Sequence, residues 1–186
     1  MVIQQAFKEN LSTPLVGMME RRNWQVLKDI ISTPTVGNQF IFVTGGFNGN
    51  YLATVEKYNT LTNQWSKVSS MTTKRGGHAS VTCGDSIYSI GGHDGSQWLN
   101  SAERYDIQTD QWISITPIKQ ARSGHAAVSI GESIFVLGGW YVSSTLKSVE
   151  MYDTRSNKWM EITPINTARH SLAAAISPKT QRTKTV

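Results

Sequence analysis

The 186-residue chain is long enough for one domain with a sizeable core, and its 39% apolar and 17% charged residues exclude a disordered polymer. A net charge of +5 without a dense basic run argues against a nucleic-acid surface, and no apolar stretch approaches the roughly 18 residues of a membrane helix. One cysteine, Cys83, excludes an internal disulfide and a multi-cysteine zinc site, and fits a reducing, cytoplasmic setting.

In chain order, residues 1–36 form a segment of their own. Val2, Ile3, Ala6 and Phe7 lie at helical spacing, which predicts a short amphipathic helix. No basic stretch followed by an apolar run is present there, so a signal peptide is not expected.

From residue 37 to 176 the sequence repeats. Gly45-Gly46, Gly91-Gly92 and Gly138-Gly139 are spaced by 46 and 47 residues. Glu56, Glu103 and Glu150 recur at intervals of 47, as do Tyr58, Tyr105 and Tyr152, then Trp65, Trp112 and Trp159, then Arg75, Arg122 and Arg169. Periods of this length mark propellers or solenoids. The units span about residues 37–75, 76–122 and 123–176, and each is expected to hold four short strands. In the middle unit these are 78–82, 87–90, 102–105 and 111–115, the last two joined by a turn with an aspartate at each end. The glycine pairs allow positive φ and close approach of a neighbour. The tyrosines and tryptophans suit packing of one sheet on the next. The glutamates and the paired histidines His78 and His125 read as scaffold, and Cys83 as a small buried hydrophobe. Residues 177–186 are polar and expected to fray.

Gly-Gly, then 13 or 14 residues to Tyr, then seven to Trp, resembles the kelch repeat. Asn100-Ser101-Ala102-Glu103-Arg104-Tyr105-Asp106 is similar to the form found in kelch-like adaptors. The resemblance implies an all-β fold of kelch-type β-propeller blades, one per repeat, with the first strand of each blade at the central channel. Residues 3–22 resemble a degraded helical junction of the kind that precedes the first blade in BTB–BACK–kelch proteins. The third unit departs from the pattern: Trp140-Tyr141-Val142 follows its glycines, and Arg169-His170-Ser171-Leu172 replaces Arg-x-Gly-His.

Three repeats make an incomplete propeller, since known rings have about 4–8 blades. The first unit supplies strands two to four, and residues 170–176 read as a spare first strand. A Trp and a Tyr bury roughly 300–500 Å²; at ~25 cal/mol per Å², leaving half of that open costs about 5 kcal/mol per end. That is comparable with the about 5–15 kcal/mol that stabilises a whole domain. The chain is therefore expected to be a fragment of a longer propeller, or to self-associate through open blade edges.

No catalytic set is recognisable: there is no His-Glu-x-x-His, nucleophile elbow or phosphate loop, and no Tyr/His set for the copper site of kelch-fold oxidases. No enzyme, cofactor or metal is expected. In the resembled adaptors the loops after the glycine pairs and those before the first strands grip a protein partner, often an acidic peptide. This implies partner-binding roles for Phe47, Asn48, Tyr51, His93, Asp94, Trp98, Trp140 and Tyr141, and for Arg75, Arg122 and Arg169, whose guanidinium groups suit carboxylates. A once-per-repeat arginine suits pairing with a neighbouring blade equally well. The reading is a substrate-recognition module of a cullin-type ubiquitin ligase adaptor, itself lacking the BTB region. The alternative is an actin-binding, cytoskeleton-associated scaffold, which co-sedimentation with filaments would reveal.

Overall fold

In the computed structural model, residues 39–177 are described; the helix expected within residues 1–36 and nearly all of the 177–186 tail lie outside them. Within the described residues every regular element is a strand. The first repeat contributes β1 (Phe40–Thr44), β2 (Val55–Asn59) and β3 (Gln64–Val68). The second contributes β4 (Ala79–Cys83), β5 (Ser86–Ile90), β6 (Ala102–Asp106) and β7 (Gln111–Ile115). The third contributes β8 (Ala126–Ile130), β9 (Ser133–Leu137), a small hairpin β10 (Trp140–Tyr141) and β11 (Ser144–Thr145), then β12 (Val149–Asp153) and β13 (Lys158–Ile162).

Repeats two and three are four-stranded antiparallel meanders, ordered β4-β5-β6-β7 and β8-β9-β12-β13. The middle strands are the buried ones: β5 is buried on both faces, whereas the outer strand β7 is largely open. Register follows the sequence period. Tyr105 faces Trp112 and Tyr152 faces Trp159 across adjacent strands, with ring centroids 5.0 and 4.8 Å apart. Aromatics also join consecutive sheets: Phe42 lies 5.8 Å from Tyr105, and Tyr88 lies 6.0 Å from Tyr152. Ile90, Ile118, Ile134, Val136 and Tyr152 form one apolar cluster.

The first repeat has three described strands, in the order β1-β2-β3, matching the strands two to four expected of it. One expectation needs correction. The spare strand expected over 170–176 does not form; residues 172–177 join no ladder.

The glycine pairs are required by close approach. At Gly91, φ is +62°, and a Cβ would sit 2.8 Å from both the Arg122 carbonyl oxygen and the His125 ring. Each sheet thus rests its glycine corner on the segment that leads to the next one.

Candidate partner-binding surface

The loop after each glycine pair is closed at its base by the same bond. Leu52 N–H donates to Gly46 O (3.0 Å), Leu99 N–H to Gly92 O (2.8 Å) and Leu146 N–H to Gly139 O (2.8 Å). The loops are further pinned to neighbouring segments. His93 and Gly76 exchange both backbone bonds, as do Trp140 and Ser123. Within the loops Phe47 bridges to Tyr51 and His93 to Trp98. Asn48 and Asp94 build the turns: the Asp94 Oδ1 accepts from Ser96 N–H (2.7 Å) and Gln97 N–H (2.9 Å), which hold its carboxyl below the usual range. Asn48 Oδ1 accepts from Asn50 N–H (3.3 Å).

This scaffold brings six of the expected residues into one continuous stripe of rings. Phe47 lies 5.0 Å from Tyr51, Tyr51 5.3 Å from His93, and His93 5.0 Å from Trp98. Trp98 then meets both Trp140 and Tyr141 at 6.0 Å, mostly edge to face. The stripe crosses all three repeats. Phe47 is 64% exposed, Trp140 41% and Tyr141 37%, while Tyr51, His93 and Trp98 are half-buried. The third loop is the unusual one. Where the first two loops place Gly49 and Gly95 at positive φ, the third places Val142, at φ 54° and 51% exposed. A β-branched residue there is strained.

The arginines divide, and two of them correct the expectation. Arg75 and Arg122 are fully buried and cannot reach a partner. Arg75 uses all five donors: Nε and Nη2 on Glu103 (3.2 and 2.9 Å), Nη1 on the Gly91 and Ser101 carbonyls (2.9 Å each), and Nη2 again on Ser101 Oγ (2.8 Å). Arg122 repeats the pattern on Gly138, Ser148 and Glu150, its ion pair being 2.7 Å. Burial lowers both guanidinium pKa values, and the glutamates oppose the shift. Burial alone would raise the Glu103 carboxyl, but bonds from Thr72 and Arg75 hold it below its ordinary value. Sequence spacing left the partner of each arginine open; a carboxylate 28 residues further on settles it. Arg169 is exposed.

The histidines also divide. Burial, reinforced by Arg122, pushes His125 down to about 3, and both ring nitrogens are buried without a partner. Burial and Arg75 push His78 down to about 4, and its Nε2 lies 2.9 Å from Thr44 Oγ1. Both rings fill the space beneath a glycine, a place that Leu172 takes in the third repeat. His170, by contrast, lies at the end of the stripe, 6.2 Å from Trp140. It was missed as a site residue because it stands where the third repeat breaks the Arg-x-Gly-His pattern.

Cys83 is buried and shares a 3.4 Å contact with Gly131 O, and burial raises its thiol pKa. Among the described residues no cluster of three or more His, Cys, Asp or Glu is placed to hold a metal, and no helix is long and apolar enough to cross a membrane.

Among protein families, the model of the KLHDC2/KLHL20/DRC7 Kelch-repeats domain matches residues 28–180. The comparison with curated proteins found no match.

Proposed function

The chain belongs to the KLHDC2/KLHL20/DRC7 Kelch-repeats domain family, and from that premise we propose that it is a protein-interaction module whose partner lies along the aromatic stripe. The observation that carries this reading is the run of rings from Phe47 to Trp140 and Tyr141 across three repeats, half-open to solvent and held by rigid loops. Function concentrates on loops fixed by a rigid scaffold, and tryptophan and tyrosine dominate binding energy at interfaces. With Arg75 and Arg122 buried, the stripe offers ring faces and indole and imidazole donors. A segment rich in apolar side chains and backbone carbonyls fits it better than an acidic peptide does.

In its finer form the proposal is the substrate-recognition part of a cullin-type ubiquitin ligase adaptor. The support is the similarity of Asn100 to Asp106 to the repeats of kelch-like adaptors. Asn48 and Asp94 shape the loops that carry the rings.

The test is partner capture with a Trp98→Ala/Trp140→Ala variant beside the unaltered chain. Proteins bound through the stripe, identified by mass spectrometry, are expected to fall at least about tenfold in the variant, as loss of two aromatic anchors implies. Unchanged capture by a variant that keeps its thermal transition overturns the reading.

A further inference from the structure

Each contact between consecutive repeats is built from the same parts. At the first seam, Glu103 accepts from Thr72 N–H (2.7 Å), Thr73 N–H (3.2 Å) and Arg75, and Trp112 Nε1–H donates to Ser69 O (2.9 Å). Asp110 Oδ1 accepts from Ser69 N–H (2.9 Å). At the second seam, every part recurs 47 residues later. Glu150 accepts from Lys119 N–H (2.7 Å), Gln120 N–H (3.2 Å) and Arg122, and Trp159 Nε1–H donates to Thr116 O (2.7 Å).

Among the described residues two half-seams remain open, and they are complementary. The third repeat presents the donor half: Asn166, Thr167 and Arg169 stand at the register of Lys119, Gln120 and Arg122, with Thr163 at that of Thr116. Arg169 is exposed and lines a cavity of about 550 Å³ together with Leu137, Ile165 and Leu172. The first repeat presents the acceptor half: Glu56, Asn63 and Trp65 stand at the register of Glu103, Asp110 and Trp112. Glu56 is exposed where Glu103 and Glu150 are 1% exposed, and Trp65 is 53% exposed where Trp159 is 9%. Counted from the glycine pairs, Ile41 and Val43 match Ile134 and Val136. The first two are 54% and 49% exposed, and the second two are fully buried in the apolar cluster with Ile118. Neither Arg169 nor Glu56 has an ion-pair partner among the described residues.

We propose that these halves form one interface between two copies of the chain. The third repeat of one copy docks on the first repeat of the other, with Arg169 paired to Glu56, the Trp65 indole donating to the Thr163 carbonyl, and Ile41 and Val43 covering the cavity at Ile165. Such a contact is head-to-tail, so two copies offer two identical seams. Three repeats from each copy then give six blades, within the about 4–8 of known rings.

Charge reversal tests this by light scattering coupled to size exclusion. The unaltered chain is expected to run at twice its monomer mass. Arg169→Glu alone and Glu56→Arg alone each place like charges at both seams, and each is expected to run as a folded monomer with unchanged far-ultraviolet circular dichroism. An equimolar mixture of the two restores an opposite pair at both seams, and the two-copy species is expected to return. The proposal is overturned by a monomeric unaltered chain, by single variants that pair as well as it does, by a mixture that stays monomeric, or by assemblies larger than two copies.

Discussion

Glu103 and Glu56 hold the same place in consecutive repeats, yet their surroundings are opposite. Glu103 is 1% exposed and accepts from Thr72, Thr73 and the Nε and Nη2 of Arg75; Glu56 is exposed and has no ion pair among the described residues. The same residue in the same sheet register is therefore a structural keystone in one repeat and a solvated carboxylate in the other. The difference teaches that a repeat position acquires its role from the neighbouring repeat, since both halves of a seam are needed to compensate a buried charge.

The largest effect expected from this contrast comes from removing one charge of a closed seam. Glu103→Gln leaves Arg75 buried without its counter-ion and is expected to cost about 3–5 kcal/mol in urea unfolding. In the chain held monomeric by Arg169→Glu, where that seam is open, Glu56→Gln is expected to change stability by less than about 0.5 kcal/mol. Equal costs would break the contrast.

Glycine substitutions sharpen it at the same corners. Gly91→Ala meets the Arg122 carbonyl at 2.8 Å in addition to its positive φ, and roughly 2–4 kcal/mol is the expected loss. Gly84→Ala, also at positive φ but with nothing within 4 Å, is expected to lose about 1–2 kcal/mol. Thermal melts of the two variants decide this.

Acid should act on the histidine corner. His125 has its pKa depressed from 6.5 to about 3 in the folded state, so the unfolded chain binds the proton first. Its contribution is complete above pH 6.5 and is lost as the pH falls toward 3. His125→Leu, which copies the residue of the third repeat, removes that loss. At pH 5 the variant is expected to be less acid-sensitive than the parent by about 2 kcal/mol. Parallel stability-versus-pH curves would contradict the buried, unpartnered ring.

The smallest effect is in the third loop. Val142→Gly relieves a strained backbone, offset in part by glycine's greater entropy when unfolded, and a gain of up to about 1 kcal/mol is expected in the same melts.

Much of this architecture was legible in the sequence. The 47-residue recurrence of Tyr and Trp located the third and fourth strands, and the glycine pairs marked where second strands end. The loop aromatics stood out because Trp98, Trp140 and Tyr141 do not recur in register. Their contacts with one another were not legible, because Trp98 comes from the second repeat and Trp140 and Tyr141 from the third, and only the stacking of sheets joins them. Arg75 and Arg122 were misplaced on the binding surface for a related reason. An arginine and a glutamate recurring at constant separation are a signal of a ladder, but only the sheet-to-sheet register shows that each pair closes across a seam. The strand expected over 170–176 was misread because its place in the repeat pattern supplies no neighbouring edge for it to pair with.

The most direct test of the central claim, that the periodic polar residues make seams while the aperiodic aromatics face outward, is amide hydrogen exchange on the Arg169→Glu chain held monomeric. The amides of Thr72, Thr73, Lys119 and Gln120, each donating to a buried glutamate, are expected to exchange with the slow core of the domain. Those of Asn166 and Thr167, at the open half-seam, are expected to exchange at rates near those of free loops. Equal exchange across all six amides would contradict the account.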